Sequence, residues 1–296
     1  MSKRICKFLA VLFLLCYQFG CGTKLEVASL PIPQDKPLPS FHPGQVQTWQ
    51  LKNGLSVIFL PDDELPLVRG TLFIPKGTLW EIPDKPNLIS VMGQQLRQGG
   101  AGNYSADELD LTLEKLAAHV ESAYGAEFGT IGFSSLTSDF EKVFSIFSQV
   151  VLHPRFEKDR IDLWKGQALE GIRRRVDDPD TIVGISFKQL LFGDTPLGRV
   201  SVSKDIKGIE RDDLIKAYGQ FVRPQGAILV VTGKIDRAVL EREISDKFLD
   251  WKQGVTESPK FPDMKYSPSP GIYFIKQPFQ QASVYIGQQG PPRLTP

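Results

Sequence analysis

The sequence predicts an α+β fold in which one sheet is layered against helices as a two-layer sandwich. Two observations carry this reading. Short apolar runs bounded by turn residues gather early in the chain, and amphipathic stretches at 3.6-residue spacing, several opened by capping residues, dominate the remainder. The size and composition agree: 296 residues, 41% hydrophobic and 23% charged, suit one large domain or two modest ones.

Taken in order, residues 55–60 (Leu-Ser-Val-Ile-Phe-Leu) read as a strand closed by Pro61-Asp62-Asp63, and residues 68–74 as a second strand ended by Lys76-Gly77. Residues 87–100, Asn-Leu-Ile-Ser-Val-Met-Gly-Gln-Gln-Leu-Arg-Gln-Gly-Gly, follow Pro86 and read as a helix. The next helix opens at Ser105, with Glu108 completing a capping box, and repeats Leu109, Leu113, Leu116 and Ala117. Residues 120–124 and 128–136 read as paired strands. Ser138 and Glu141 predict another capping box, with Phe140, Phe144, Phe147 and Val151 on one face behind it and His153-Pro154 as the stop. Helices follow from about residue 157 to Asp177-Asp178-Pro179, over 182–191, 212–221 and 237–249, with a buried-type strand at 227–232.

The ends of the chain differ from this middle. Lys3, Arg4 and Lys7 precede an apolar run at residues 8–17, too short for a comfortable membrane span, and Gly20-Cys21 follows. This reads as a secretory signal over residues 1–21. It is similar to a bacterial lipoprotein processing site, although Gln18 and Phe19 depart from the usual pattern; that reading makes Cys21 the lipidation residue and the membrane a partner through one lipid anchor, and the alternatives are plain secretion or an uncleaved anchor. All three cysteines (Cys6, Cys16, Cys21) lie in this segment, so the folded part has neither disulfide nor thiolate ligand. Residues 22–45, with Pro31, Pro33, Pro37, Pro39 and Pro43, read as a tether; residues 46–258 as the domain; residues 259–296 as a linker followed by two strands, 271–276 and 282–287. That ending repeats the opening, Gly then strand, Pro turn, strand and Gly. It reads as the start of a second, incomplete copy of the domain. A net charge of +1, with no run of like charge, argues against nucleic acid as a partner.

Several segments together resemble the insulinase/pitrilysin-type zinc peptidases, the M16 family, and among them the bacterial two-domain members and the mitochondrial processing peptidases. They are Asn53-Gly54-Leu55 with the first hairpin, Asp177-Asp178-Pro179, residues 191–199 (Leu-Phe-Gly-Asp-Thr-Pro-Leu-Gly-Arg), and residues 218–224 (Tyr-Gly-Gln-Phe-Val-Arg-Pro) followed by a strand and Gly233. The resemblance implies the two-layer α/β sandwich of the M16 metallopeptidase type. It also implies a His-x-x-Glu-His helix: two His four apart that hold zinc on one helix face, a Glu between them that takes a proton from the zinc-bound water, and a later Glu that completes the site.

Aligned on Leu88 and Gly99, the two His positions are Ser90 and Gln94, the base position is Gly93 and the later Glu falls at Gly171 beside Glu170. Ser and Gln offer neutral oxygens, poor zinc donors, and Gly93 offers nothing while costing a helix about 1 kcal/mol relative to Ala. None of the three histidines, His42, His119 and His153, pairs at a metal-binding spacing. Ser90 has no base nearby for a nucleophilic role, Arg173-Arg174-Arg175 reads as a solvated helix face, and Gly99-Gly100 with Gly102 lacks the Lys-Ser/Thr of a phosphate loop.

The expected function is therefore a non-catalytic M16 homologue without cofactor, at the bacterial cell envelope. Its expected roles are partner or scaffold for an active M16 subunit, or peptide-binding protein. The alternative is a zinc metalloendopeptidase with unusual ligands, and only that reading needs zinc. The resemblance further implies that extended peptides add as a strand to a sheet edge, here Glu121, Ser122, Ala123, Tyr124 and Gly125. Such addition relies on main-chain hydrogen bonds and does not require the metal. Gly125 and Gly129 read as weakening that edge.

Overall fold

The computed structural model describes residues 44–81, 84–252 and 265–290. The expected signal, Cys21, the tether up to residue 43, His42 and the first part of the linker lie outside them. Strands Gln47–Gln50 (β1), Ser56–Pro61 (β2), Leu67–Pro75 (β3), His119–Tyr124 (β4), Phe128–Leu136 (β5) and Ile228–Gly233 (β6) form a six-stranded sheet in the order β1-β2-β6-β3-β5-β4. β6 enters between the first two long strands: Ile228 lies beside Ser56 in the parallel β2–β6 pair and beside Phe73 in the antiparallel β3–β6 pair. All other pairings are antiparallel, and β4 forms one edge.

One face of this sheet carries the core. Val57 and Phe59 of β2, Val68, Leu72 and Ile74 of β3, Ile131 and Phe133 of β5, and Leu229 and Val231 of β6 alternate inward. Among the described residues eight helices accompany the sheet: Leu88–Gln98 (α1), Ala106–Lys115 (α2), Phe140–Leu152 (α3), Lys158–Arg174 (α4), Pro179–Phe192 (α5), Ser203–Lys207 (α6), Arg211–Phe221 (α7) and Arg237–Phe248 (α8), of which α1, α2 and α3 pack directly on it as the second layer. The rings of Phe133, Phe144, Phe147 and Phe248 meet at centroid distances of 5.0–5.9 Å. A fully buried Phe contributes roughly 1.5–3 kcal/mol, more than a helix cap at about 1 kcal/mol. This cluster, rather than capping, seats α3 on the sheet and α8 against α3.

The α+β expectation holds, and the elements expected between residues 55 and 249 fall within three residues of those observed, to which the structure adds β1 and α6. The capping box at Ser105 and Glu108 is present on both sides. The one predicted at Ser138 and Glu141 is not: a 3₁₀ turn, Thr137–Asp139, runs straight into α3, Ser138 Oγ donates to Asp139 Oδ2 (3.1 Å), and Glu141 pairs with Arg242 (3.0 Å). The two strands expected near the end do not form. Residues 265–290 form no helix or strand, and the side chains of Ile272, Phe274, Val284 and Ile286 stand in solvent. Their alternation survives, because Tyr285 turns inward to within 5.8 Å of the Phe187 ring on α5. Two such segments bury no core by themselves, so burial does not hold them as a hairpin.

Candidate functional site

The candidate site is built on α1. Its N-cap residue, Asn87, has φ 70° and makes no side-chain cap, so the first amides of the helix need another acceptor. Glu81 supplies it: Oε2 accepts from the Asn87 N–H (2.8 Å) and Oε1 from the Ile89 N–H (2.9 Å). Burial pushes the Glu81 carboxyl above the ordinary glutamate range, against the opposing pull of those two amides and of Arg199. A folded-state value above the unfolded one means the fold holds this proton more tightly. The contribution is therefore complete below the ordinary glutamate value and is lost as pH rises through the raised one. Urea unfolding of wild type and Glu81→Gln across this range is expected to show wild-type stability falling relative to the variant as pH rises.

Leu88, Ile89, Val91, Met92 and Leu96 bury one side of α1, and Ser90, Gln94 and Gln98 are exposed on the other. Ser90 and Gln94, one turn apart, thus share the outward face that the family's two His would occupy. Gly93 is different, being buried beneath β4. A Cβ on Gly93 would lie 2.4 Å from Tyr124 Cδ2, and a Cβ on Gly129 would lie 2.3 Å from Tyr124 Cζ. The Tyr124 ring therefore occupies a slot made by two glycines, one on the helix and one on β5. Its hydroxyl is buried without a hydrogen-bond partner, and burial raises its pKa far above that of a free phenol. Ser122 Oγ donates to the Gly93 carbonyl oxygen (2.6 Å), fixing the edge strand to the same turn of α1.

One turn on, Arg97 is almost fully buried. Its Nε donates to the Val120 carbonyl (2.8 Å), and Nη1 pairs with Asp110 Oδ1 of α2 (2.7 Å). Neither Tyr124's role as a plug nor Arg97's as a clasp is visible in residue spacing. The only sequence signal was a pair of glycines, Gly93 and Gly129, each in an element that disfavours glycine.

The remaining positions are no better suited to a metal. Gly171 on α4 is exposed, with nothing within 4 Å of where its Cβ would be. Glu170 is engaged by Arg173 (2.7 Å) and Arg174 (2.6 Å), which hold its carboxyl down to about 2. His119 begins β4, and His153 is the C-cap of α3. Among the described residues no group of three or more His, Cys, Asp or Glu could hold a metal ion. Two neutral side chains in solvent, a filled base position and a bare fourth position do not fit zinc. On β4, Glu121 and Ala123 are exposed while Val120 and Tyr124 are buried against α1.

Comparison with known proteins bears on these positions. The sequence matches the family model for insulinase (peptidase family M16) over residues 83–201 and that for the peptidase M16 inactive domain over residues 208–296. The chain belongs to peptidase family M16. An uncharacterized zinc protease of Rickettsia bellii is 24% identical over 244 residues, 81% of this chain and 58% of that protein. The non-peptidase homolog YmxG of Helicobacter pylori is 24% identical over 216 residues, 64% of this chain and 49% of that one. The crystal structure of the periplasmic protease PqqL from Escherichia coli shares the fold with a TM-score of 0.62 at 19% identity, over 78% of this chain and 26% of that one. The chain thus spans about half the length of the curated M16 relatives it matches.

Proposed function

We propose that this M16 chain is a non-catalytic member of the family that acts at the bacterial cell envelope, taking extended peptide segments along β4 and serving as partner to a separate, zinc-bearing M16 chain. The observation that carries the reading is the Tyr124 ring over Gly93: the place of the catalytic base is filled, not merely vacated. A side chain lost by drift leaves a gap or a solvated position. Here glycines on two elements and an aromatic ring on a third fit together, which supports a role as a packed wall beside the peptide edge.

The name non-peptidase homolog carried by YmxG supports the absence of chemistry. The signal reading of residues 1–21 and the periplasmic location in PqqL's name support the envelope. No helix among the described residues is long and apolar enough to cross a membrane, which fits attachment through Cys21 rather than through the domain.

The test uses the full chain purified from native membrane. Expected are no stoichiometric zinc, no chelator-sensitive cleavage of peptides, and co-purification with a chain bearing an intact His-x-x-Glu-His. Stoichiometric zinc together with chelator-sensitive cleavage overturns the reading in favour of a peptidase with unusual ligands. A zinc-bearing M16 chain that is fully active without this one removes the partner role.

A further inference from the structure

We infer that Arg97 sets the length of peptide that β4 accepts, closing the sheet edge at Val120 and leaving a dock two residues long at Ser122 and Tyr124. The inference rests on the strand-addition reading above and specifies its register.

In an antiparallel pair, residues facing the partner with both main-chain groups alternate with residues that face away. The phase of β4 is set by Gly125, whose N–H donates to the Phe128 carbonyl (2.9 Å), its direct opposite in the β4–β5 register. Ala123, Glu121 and His119 therefore bond to β5, whereas Tyr124, Ser122 and Val120 turn their main-chain groups to the free edge. The contact at Val120 agrees with this phase, because its outward carbonyl is the one that accepts from Arg97 Nε (2.8 Å). Arg97 reaches that carbonyl from α1 and is held there by Asp110 of α2 (2.7 Å). A buried, paired guanidinium does not yield its acceptor to a passing peptide without leaving a charge short of a partner.

At its other end β4 gives way to the turn before β5, where the Ala126 carbonyl accepts from the Leu79 N–H (3.0 Å) and the Gly125 carbonyl, which does not belong to the free edge, accepts from the Thr78 N–H (2.8 Å). Between Arg97 and this turn, the main-chain groups of Ser122 and Tyr124 remain. The Ser122 hydroxyl is already spent on the Gly93 carbonyl, so recognition there runs through the main chain and tolerates many side-chain sequences. Arg97 also shields the edge from longer strands, as inward-pointing charges do on other exposed sheet edges.

The experiment passes a randomised pool of capped nonapeptides over the immobilised full chain and resynthesises retained members with one N-methyl group at each position in turn. On the wild type, two positions spaced two residues apart are expected to be sensitive, one for each of the Ser122 and Tyr124 carbonyls. Each N-methyl should weaken binding roughly five- to tenfold. With Arg97→Met, which keeps an apolar stem but frees the Val120 carbonyl, a third sensitive position should appear two residues further on. Three or more sensitive positions on the wild type, or sensitivity at consecutive positions, overturns the inference. So does an Arg97→Met protein that folds, by circular dichroism, and gives the same two positions. If that variant fails to fold, the wild-type scan decides alone. If the wild type retains no member of the pool, peptide binding itself, the reading beneath this inference, is what fails.

Discussion

Replacing Gly93 with alanine is expected to destabilise the protein by roughly 1–3 kcal/mol, the usual cost of overpacking a filled interior. Helix propensity alone predicts the opposite sign, a gain of about 1 kcal/mol for Gly→Ala inside a helix. Packing wins because the new methyl would sit 2.4 Å from Tyr124 Cδ2, and the ring cannot retreat past Gly129, which already lies against Cζ. Urea unfolding of a double-mutant cycle separates the two effects. Tyr124→Ala alone should cost about 3–5 kcal/mol. On that background Gly93→Ala should become neutral or stabilising. Additive losses would show that the ring is not the obstacle. Tyr124→Phe, which removes only a buried hydroxyl without a partner, should be neutral or stabilising, since nothing is lost but a desolvated group.

The second large effect concerns zinc. Ser90→His with Gln94→His puts two imidazoles one turn apart on the exposed face of α1. The pair should bind zinc more tightly than the wild type does. At zinc one hundred times above the dissociation constant, binding should raise stability by about 2.7 kcal/mol, visible as a zinc-dependent rise in the unfolding midpoint. Gly171→Glu should be tolerated on the same background, because its Cβ meets open space. None of these variants should cleave peptides, since position 93 still lacks a base. Supplying one as Gly93→Glu should require Tyr124→Ala as well. Cleavage by the triple variant with Gly93 unchanged would contradict this account of the base position.

Most of the fold was legible because it rests on local patterns. Short apolar runs bounded by turn residues marked β2, β3, β5 and β6, and the Ser105-Glu108 pair marked the start of α2. The expected zinc-site positions, Ser90, Gly93, Gln94 and Gly171, came from the family resemblance, and they mark only side chains that a zinc site would need and this sequence does not supply. What replaced them was not legible, since the Tyr124 slot is made by residues on α1, β4 and β5 that meet only in the folded chain. Gly93 and Gly129, read in isolation, look like weak points in a helix and a strand, whereas together they make room for one ring. Arg97 likewise looks like a surface residue near a helix end until the Val120 carbonyl and Asp110 are placed around it. The terminal strands failed for a related reason: Ile272, Phe274, Val284 and Ile286 have the right alternation, but no neighbouring strand among the described residues gives it a ladder.

The position of β6 has a consequence for how the chain folds. β2 and β3 are neighbours in sequence and could close as a hairpin within microseconds. The native sheet forbids it, since β6, about 160 residues later in the sequence, must lie between them. During synthesis the first strands emerge long before the strand that belongs between them, at about 5–20 residues per second. The nascent chain must therefore hold β2 and β3 apart, or undo a premature pairing, until residues 228–233 arrive. Folding of this domain is accordingly expected to be slow and dominated by non-local contacts, with its sheet completed only when the last strand is inserted.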